Sequence, residues 1–489
     1  MAQPASHIIQ RQTVRLHLRE QTDSWAVQER ASRILRQADL LTALDAVLSA
    51  FGSADEWIEL ERVEVDLGVL PVAGFEDQIA RNLPDLLRRQ LAELIPEALF
   101  HHPKTAVRKT GEVVFETFLY FLETGLLPPT TLWPESNPAF EQEIRSVLSS
   151  LNTPQRETLR AVLVHPATRS RLVNQFSEDV LAAVFRALGS GQESVSLRLL
   201  KHLQAWRDRL PASHYRALLM ALTEKTVQNP EAVLPAIENR WVHLKPSDPA
   251  FNAALELLLP AFQQSDFKSG NSHLNSPGSG NQLVENVPER AKSRSEKSSS
   301  DHPNANENRR ESPTEAPADA FFYVRNAGLV LLHPFLRFCF EACGWTQDAV
   351  FSNTESQEKA LTMLHFLATG EPIAAEYDLL LPKILCAMPW NSPVSGKISL
   401  TDAEQEEGVG LLNAAIGHWA VLKNTSPDGF REGFLQREGK LALLPNGLWE
   451  LTVESKAQDV LLNRLPVGWG VGTVLLPWMK KQLTVNWES

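Results

Sequence analysis

Cysteine and histidine are the residue types in this sequence that come nearest to a metal site. Cys339 and Cys343 are four residues apart on a predicted helix, and His333 lies just upstream. Two thiolates on one helix face could hold a metal ion, but zinc usually takes four ligands, and structural zinc sites show paired short spacings on both sides. The third cysteine, Cys386, stands alone. We therefore predict thiols that are buried as small apolar groups, with no metal and no cofactor.

A histidine pair and a glycine-rich stretch are two further positions where chemistry could arise. The run His101-His102-Pro103 ends a predicted helix, and adjacent side chains point in different directions on most backbones, so we expect a solvated turn there. The stretch Gly468-Trp-Gly-Val-Gly472 could cradle a phosphate only between a strand and a helix. Prolines flank it on both sides, which predicts a turn between β elements.

Sequence motifs of common enzymes are absent. No G-x-x-x-x-G-K-[ST], no G-x-S-x-G and no H-E-x-x-H occurs in the sequence. Tryptophan occurs 12 times and could line an aromatic ligand site, but such residues more often anchor cores and interfaces. We predict a protein without catalytic residues, and a hydrolase or a Cys/His enzyme is the least favoured alternative.

Composition and charge narrow the class of protein. The 489 residues give room for two or three domains, and 43% hydrophobic residues are enough to bury a core in most of them. The net charge of −12 argues against nonspecific binding to nucleic acid or anionic lipid. Apolar runs such as 327–332 are far shorter than the roughly 20 residues that span a bilayer. Sparse cysteines and the lack of a signal-peptide pattern in residues 1–11 favour a cytoplasmic location.

The first predicted domain, residues 1–72, is a strand–helix–strand unit. Val14, Leu16 and Leu18 alternate with polar residues, which predicts a strand. A helix is expected from about 25 to 51, since its apolar residues recur at three- and four-residue steps. Alternation resumes over residues 57–67, but its phase slips at Arg62, where we expect a bulge or burial on both faces.

The second predicted domain, residues 73–264, is an array of short helices. Its helices begin at residues that favour caps or first turns: Thr153-Pro154, Ser177, Asn229-Pro230 and Ser247-Asp-Pro249. Elements of about 10 to 17 residues with short connections follow one another, although no clean repeat period is present.

A linker and a second α+β domain complete the chain. Residues 265–317 are nearly devoid of large apolar side chains, so we predict a disordered linker. Between Glu285 and Glu311 six acids balance six Lys and Arg, which disfavours a polybasic nucleic-acid arm. In the domain at 318–489, Asn446-Gly447 predicts a hairpin over 441–453. Helices are expected at 351–367 and 403–422, with a closing strand at 482–487. The predicted class is mainly α with α+β terminal domains.

The sequence resembles the tape measure protein family of contractile injection systems. An N-terminal block comprises His7–Gln10, the helix after it and Ile58–Gly68. The more specific C-terminal block is an ordered series of segments: Asn326–Leu336, Leu364–Gly370, Leu381–Cys386, His418–Ser426, Phe434–Gly439 and Leu475–Met479. In the middle, His165-Pro166 and Arg171–Ser177 are also similar.

This resemblance implies a protein that helps to set the length of the inner tube and sheath while a phage-tail-like particle is assembled. The implied partners are the inner tube protein, the baseplate hub or spike and the tube terminator, and a homo-oligomer is a further option. The implied location is the cytoplasm during assembly and then the lumen of the tube. An assembly scaffold or chaperone for tube or spike subunits is the alternative function, because the helices are short and interrupted.

Eight residues within the resembling segments are predicted to contribute to partner docking. They are Asn326, His333, Pro334, Gln436, Arg437, Glu438, Trp478 and Met479. Apolar residues in these segments are expected to be part of the core more often than of an interface, and the resemblance carries over no catalytic residues.

Overall fold

The fold is given by a computed structural model of the chain. It describes residues 7, 9, 12–18, 24–35, 37–51, 56–60, 62–101, 107–131, 134, 136–189, 195–210, 212–228, 321–395, 398–422 and 424–487. The predicted linker at 265–317 and the predicted helices that begin at Asn229 and Ser247 lie outside these residues. The three boundaries between the four predicted regions stay predictions.

A three-helix unit forms the N-terminal part. It consists of α1 (Ser24–Leu35), α2 (Ala38–Ser49) and α3 (Phe75–His101). The helices bury a small apolar core that includes Ile34, Leu44 and Ile79. Arg30 of α1 donates two hydrogen bonds to the Glu76 carboxylate of α3, at 2.5 and 2.7 Å. The prediction of a single helix over 25–51 is therefore wrong, because the chain starts a second helix at Ala38, and the preceding residue, Gln37, has an extended conformation.

Both predicted N-terminal strands need correction. Residues 12–18 form no strand, and Val14, Leu16 and Leu18 are exposed. Among the described residues of the stretch 57–67, the only strand is β1 (Glu56–Ile58), which pairs antiparallel with β2 (Val107–Lys109). The predicted phase change is present, however, because Leu60 and Val63 are both half-buried although they are three residues apart, an odd number that strict alternation does not allow. Alternation alone indicates a strand only where a neighbouring strand accepts the hydrogen bonds.

Among the described residues, seven helices of 10 to 17 residues form the helical array and have the predicted lengths, whereas α3, which also lies in the range 73–264, is longer than predicted at 27 residues. The seven are α4 (Thr110–Thr124), α5 (Asn137–Leu148), α6 (Thr153–Leu163), α7 (Pro166–Gln175), α8 (Glu178–Leu188), α9 (Val195–Trp206) and α10 (Ala212–Gln228). Pro154 lies in the first turn of α6, but the cap is Asn152, which forms a capping box with Gln155.

The C-terminal domain combines helices with a mixed sheet, so the predicted fold class is confirmed. Its main helices are α11 (His333–Ala342), α12 (Thr354–Thr369), α13 (Leu380–Leu385), α14 (Asp402–His418) and α15 (Pro427–Phe430). Short 3-10 or π segments cover Ala327–Leu332, Glu376–Asp378, Ala420–Leu422, Arg431–Leu435 and Ala457–Arg464. The predicted helix over 403–422 thus ends four residues early, before the buried Trp419.

Five strands form the C-terminal sheet in the order β3-β6-β7-β9-β8. They are β3 (Phe321–Val324), β6 (Gly439–Leu443), β7 (Trp449–Val453), β8 (Thr473–Val474) and β9 (Leu483–Asn486), and a small ribbon joins β4 (Thr346–Gln347) to β5 (Val350–Phe351). The predicted hairpin is confirmed: β6 and β7 pair antiparallel, and Gly447 has a φ of 70° in the turn. The closing strand is confirmed as β9, which pairs parallel to β7.

Buried apolar residues from the helices and the sheet form one core in this domain. Leu126, which follows α4 of the array, is part of that core. The array and the C-terminal domain therefore share buried surface, as expected of parts of one compact unit.

Candidate functional site: the contact between the helical array and the C-terminal domain

Arg171 of α7 is the centre of the contact, and its side chain is fully buried. Its Nε donates a hydrogen bond to Glu376 Oε1 at 3.0 Å. One terminal nitrogen donates to the carbonyl oxygens of Leu122 and Glu123 at the end of α4, at 2.9 and 2.8 Å. The other donates to the carbonyl oxygen of Asn391. One guanidinium thus links two array helices to two segments of the C-terminal domain.

Glu376 and Lys383 supply the opposite side, and neither side chain is exposed. Lys383 Nζ donates to Glu376 Oε1 at 2.8 Å and to the carbonyl oxygen of Trp390 at 3.3 Å. Burial lowers the pKa of Lys383, and the adjacent Glu376 carboxylate opposes this shift. Glu376 Oε2 has no hydrogen-bond partner among the described residues. We call Arg171, Glu376 and Lys383 the ionic cluster.

Gly125 lets α4 approach the ionic cluster. This residue ends α4 with a φ of 77°, a left-handed conformation that glycine adopts readily. A Cβ atom at this position would lie 2.3 Å from Glu376 Oε1 and 2.9 Å from Arg171 Nε. The helix end and the cluster are therefore fitted to each other, and no larger residue can replace the glycine without a shift.

Further polar contacts surround the ionic cluster. Gln175 Nε2 donates to the Val394 carbonyl at 3.0 Å, and its Oε1 accepts from the Glu376 amide at 3.3 Å. Arg216 of α10 donates to the Ser395 carbonyl at 3.4 Å. Hydrogen bonds and charges thus accompany the shared apolar core in this contact, as in many interfaces between domains.

A cleft of about 410 Å³ lies beside the ionic cluster, between the array and the C-terminal domain. Its walls carry apolar side chains, among them Phe140, Ile373 and Val394, together with the polar side chains of Asn137 and Glu141. Tyr377 bridges the two sides, because its hydroxyl hydrogen-bonds to Asn137 and its ring meets Phe140 edge-on at 6.5 Å. A cleft with both apolar and polar walls is suited to recognising and positioning a binding partner.

The comparison with known protein families decides the identity. The sequence model of the contractile injection system tape measure protein family matches residues 6–487, nearly the whole chain. The chain belongs to this family. No curated protein and no solved structure matches it.

The ionic cluster of this tape measure chain was missed by sequence reasoning, although a signal existed. Lys383 interrupts the apolar run Leu379–Leu385, and a charge within such a run is a candidate buried ion. Arg171 and Lys383 also lie within two of the segments that resemble the family. Glu376 had no comparable signal, because its partner Arg171 is 205 residues away.

The predicted docking residues of the tape measure chain lie in the C-terminal domain, where the structure brings some of them to the surface. Gln436 and Glu438 are exposed, whereas the side chain between them, Arg437, is fully buried. Arg437 bonds to Asp459 and to the Gly433 carbonyl, the latter at 3.0 Å. Arg437 could therefore reach a partner only if this part of the core opened.

The remaining predicted docking residues are mostly engaged inside the domain. Asn326 is 5% exposed, and His333 Nδ1 lies 2.9 Å from the Val330 carbonyl. Trp478 donates to the Leu385 carbonyl at 2.7 Å and stacks on a phenylalanine of the core. Pro334 and Met479 are half-buried. Docking by all eight residues stays a prediction, and Gln436 and Glu438 are the members with exposed side chains.

The cysteines and the glycine-rich stretch, which were considered for chemistry, contribute to packing and to a turn. Cys339 and Cys386 are buried, as predicted, and Cys343 is half-buried. Within the described residues, no group of three or more His, Cys, Asp or Glu is placed to hold a metal ion. Gly468 has a φ of 88° in a turn before β8, which fits the predicted glycine-rich turn. Among all the helices that the structure describes, none is long and apolar enough to cross a membrane.

We expect His365 to make the stability of the C-terminal domain sensitive to pH. It is 4% exposed on α12, and burial lowers its pKa from 6.5, opposed by Asp378 and Glu371. The unfolded chain therefore binds a proton more readily than the folded one. The contribution of His365 to stability is fully present above about pH 6.5 and is lost as the pH falls toward the lower pKa of the folded state. We expect unfolding midpoints in urea to fall with pH below about 6.5.

The variant His365→Gln should flatten this pH dependence, and the slope is the readout because it does not depend on the variant's absolute stability. The matched control is His418→Asn, which removes an exposed histidine from the same domain. A slope in His365→Gln equal to that of the wild type would contradict the assignment.

Proposed function

We propose that the chain helps to set the length of the inner tube and sheath during assembly of a phage-tail-like particle. The single observation that carries this proposal is the family match over residues 6–487. The family is structural, and the proposed role needs span and contacts, not a reactive group.

The reach of the chain is the physical quantity that matters for such a role. If residues 75–317 formed one straight helix, they would span about 360 Å, which is a tail-scale length. The array helices contain 10 to 17 residues, so each is only about 15–26 Å long. We therefore infer that long reach requires either release of the array from the C-terminal domain or an extended segment between residues 228 and 321.

The proposed partners follow from this role. The C-terminal domain would contact the baseplate hub or spike, or the tube terminator, and the segment between the terminal domains would contact the inner tube protein. Assembly would take place in the cytoplasm, and the chain would lie in the lumen of the tube while the tube grows.

The test changes chain length without touching the array or the C-terminal domain. Removing residues 268–312, about 45 residues, shortens the fully extended reach by about 150 Å. We expect shorter particles by electron microscopy, and longer particles when the same segment is duplicated. The helical array is left intact because its contact with the C-terminal domain contains the ionic cluster.

A length-matched control separates span from sequence. Replacing residues 268–312 by a Gly/Ser stretch of equal length should leave particle length unchanged, since the number of residues is the same. Particles that form with normal length after the deletion would exclude a role for this segment as a ruler.

An assembly scaffold or chaperone is the second candidate function. The observation that favours it is the contact itself, in which short helices lie on the C-terminal domain around a cleft with apolar and polar walls. A scaffold would be absent from purified particles, whereas a ruler would be present when particles are isolated before they are complete. Mass spectrometry of both preparations distinguishes the two candidates.

A further inference from the structure

Cys339 and Cys343 are a pair of thiols at the C-terminal end of α11. The Cys343 amide donates a hydrogen bond to the Cys339 carbonyl at 2.9 Å, so the two residues are one helical turn apart. Side chains with this spacing lie on the same face of a helix, with Cβ atoms about 5–6 Å apart. Both cysteines are free thiols. The fold therefore places two potential sulfur ligands side by side.

The pair combines a buried thiol with one that a solute can reach. Cys339 is 2% exposed and belongs to the core of the C-terminal domain. Cys343 is half-buried and packs against that core. An ion can therefore enter at Cys343 and reach surroundings that exclude water at Cys339.

The two thiols also influence each other's protonation. The Cys339 thiol donates a hydrogen bond to the Cys343 sulfur, which lowers the pKa of Cys343 and raises the pKa of Cys339. Lys359 of α12 adds to the lowering, whereas burial and the carboxylates of Glu407 and Glu404 oppose it. Cys343 is thus the thiol that loses its proton more readily, and the thiolate is the form that binds metal ions.

The surroundings of the pair limit the number of ligands to two. His333 lies ten residues before Cys343, which is about 15 Å along the helix axis, and its Nδ1 lies 2.9 Å from the Val330 carbonyl oxygen. Among the described residues, no third His, Cys, Asp or Glu completes a metal-binding group with the pair. Zinc, which takes four ligands in structural sites, does not fit such a pair.

We propose that Cys339 and Cys343 form a two-coordinate binding site for a soft monovalent metal ion, with Cu(I) as the representative. Thiolates are the soft ligands that such ions prefer. On binding, each thiol releases its proton to solvent, and each sulfur forms one bond to the metal ion. The positive charge of Lys359 then offsets the negative charge of the complex. A disulfide is a poorer product at this spacing, since it needs Cβ atoms about 3.5–4.5 Å apart.

Titration of the reduced full-length chain with Cu(I) in the absence of oxygen tests the proposal. The ion is supplied as its coloured complex with bicinchoninate, so that its transfer to the protein is measured as a loss of colour. We expect the wild type to take up one equivalent of Cu(I). The variants Cys343→Ser and Cys339→Ala should bind it at least about 100-fold more weakly, because even an outer-shell partner of a metal ligand contributes about 10–100-fold.

The matched control is Cys386→Ala, which removes the one remaining cysteine of the sequence and should bind Cu(I) like the wild type. Circular dichroism of the metal-free proteins shows that the compared variants are folded, and Cys343→Ser is the least disruptive of them because Cys343 is half-buried. Cu(I) should also raise the Tm of the wild type but not that of Cys343→Ser, since an ion that binds the folded state stabilises it.

X-ray absorption at the copper edge supplies a signature that a packing role would not produce. We expect two sulfur neighbours around the bound ion and no nitrogen or oxygen neighbour. A wild type that takes up no Cu(I), an unchanged affinity in folded Cys343→Ser, or an equal loss of affinity in folded Cys386→Ala overturns the proposal. A bound ion with nitrogen or oxygen neighbours overturns it equally.

Discussion

Replacing Glu376 by alanine is expected to lower the free energy of unfolding by about 3–5 kcal/mol. The substitution removes the carboxylate that accepts hydrogen bonds from both Arg171 and Lys383, whose side chains are fully buried. An uncompensated buried charge is costly because the low-dielectric interior replaces water poorly. Lys383 can lose its proton, since burial already lowers its pKa, but Arg171 stays charged.

Urea unfolding followed by circular dichroism measures this loss, and hydrogen exchange locates it. The matched control is Glu371→Ala, which removes an exposed carboxylate five residues away and should change stability by less than about 0.5 kcal/mol. We expect α7 and the segment around 376–391 to lose protection together in Glu376→Ala. Equal stability of the two variants would show that the ionic cluster does not hold the contact.

Gly328→Ala is expected to have an effect of similar size or larger. A Cβ atom at this position would lie 1.7 Å from the carbonyl oxygen of Phe434 and 2.8 Å from Leu435 Cα. Both contacts are with main-chain atoms in a fully buried part of the core, so no flexible side chain can move aside. The substitution should lower stability by more than about 3 kcal/mol or prevent accumulation of soluble protein.

A second glycine in the same domain provides a control with the opposite sign. Gly410 lies within α14, and a Cβ atom there would meet no heavy atom within 4 Å. Gly410→Ala should therefore stabilise the helix by up to about 1 kcal/mol and raise the Tm by about 2–4 °C. Thermal unfolding of both variants gives the comparison, and a Tm for Gly328→Ala at or above that of the wild type would contradict the close approach.

Local signals in the sequence were enough to predict much of the fold. The hairpin turn at Asn446-Gly447, the array helices and the closing strand β9 each have a signal within a few residues of the element. The strand predicted around Val14 and Leu18 was wrong, because a strand depends on a neighbour that no local pattern specifies. Within the part of the chain that the structure describes, residues 12–18 belong to no ladder.

The candidate site was less accessible to sequence reasoning, since its parts are far apart along the chain. Lys383 could have been recognised as a buried charge from its apolar surroundings, but Glu376 and Arg171 could not have been matched to it. Arg437 shows a related difficulty. It lies between two exposed residues, and its burial depends on Asp459, 22 residues further on.

The separation of 205 residues between Arg171 and Glu376 has a consequence for the newly made protein. A ribosome adds about 5–20 residues per second, so roughly 10–40 s pass between synthesis of the two residues. During this interval the polar side of α7 and α10 faces water, because the segment that later covers it does not yet exist. A nascent chain therefore offers its array to other components of the cell before its own C-terminal half can compete for the same surface.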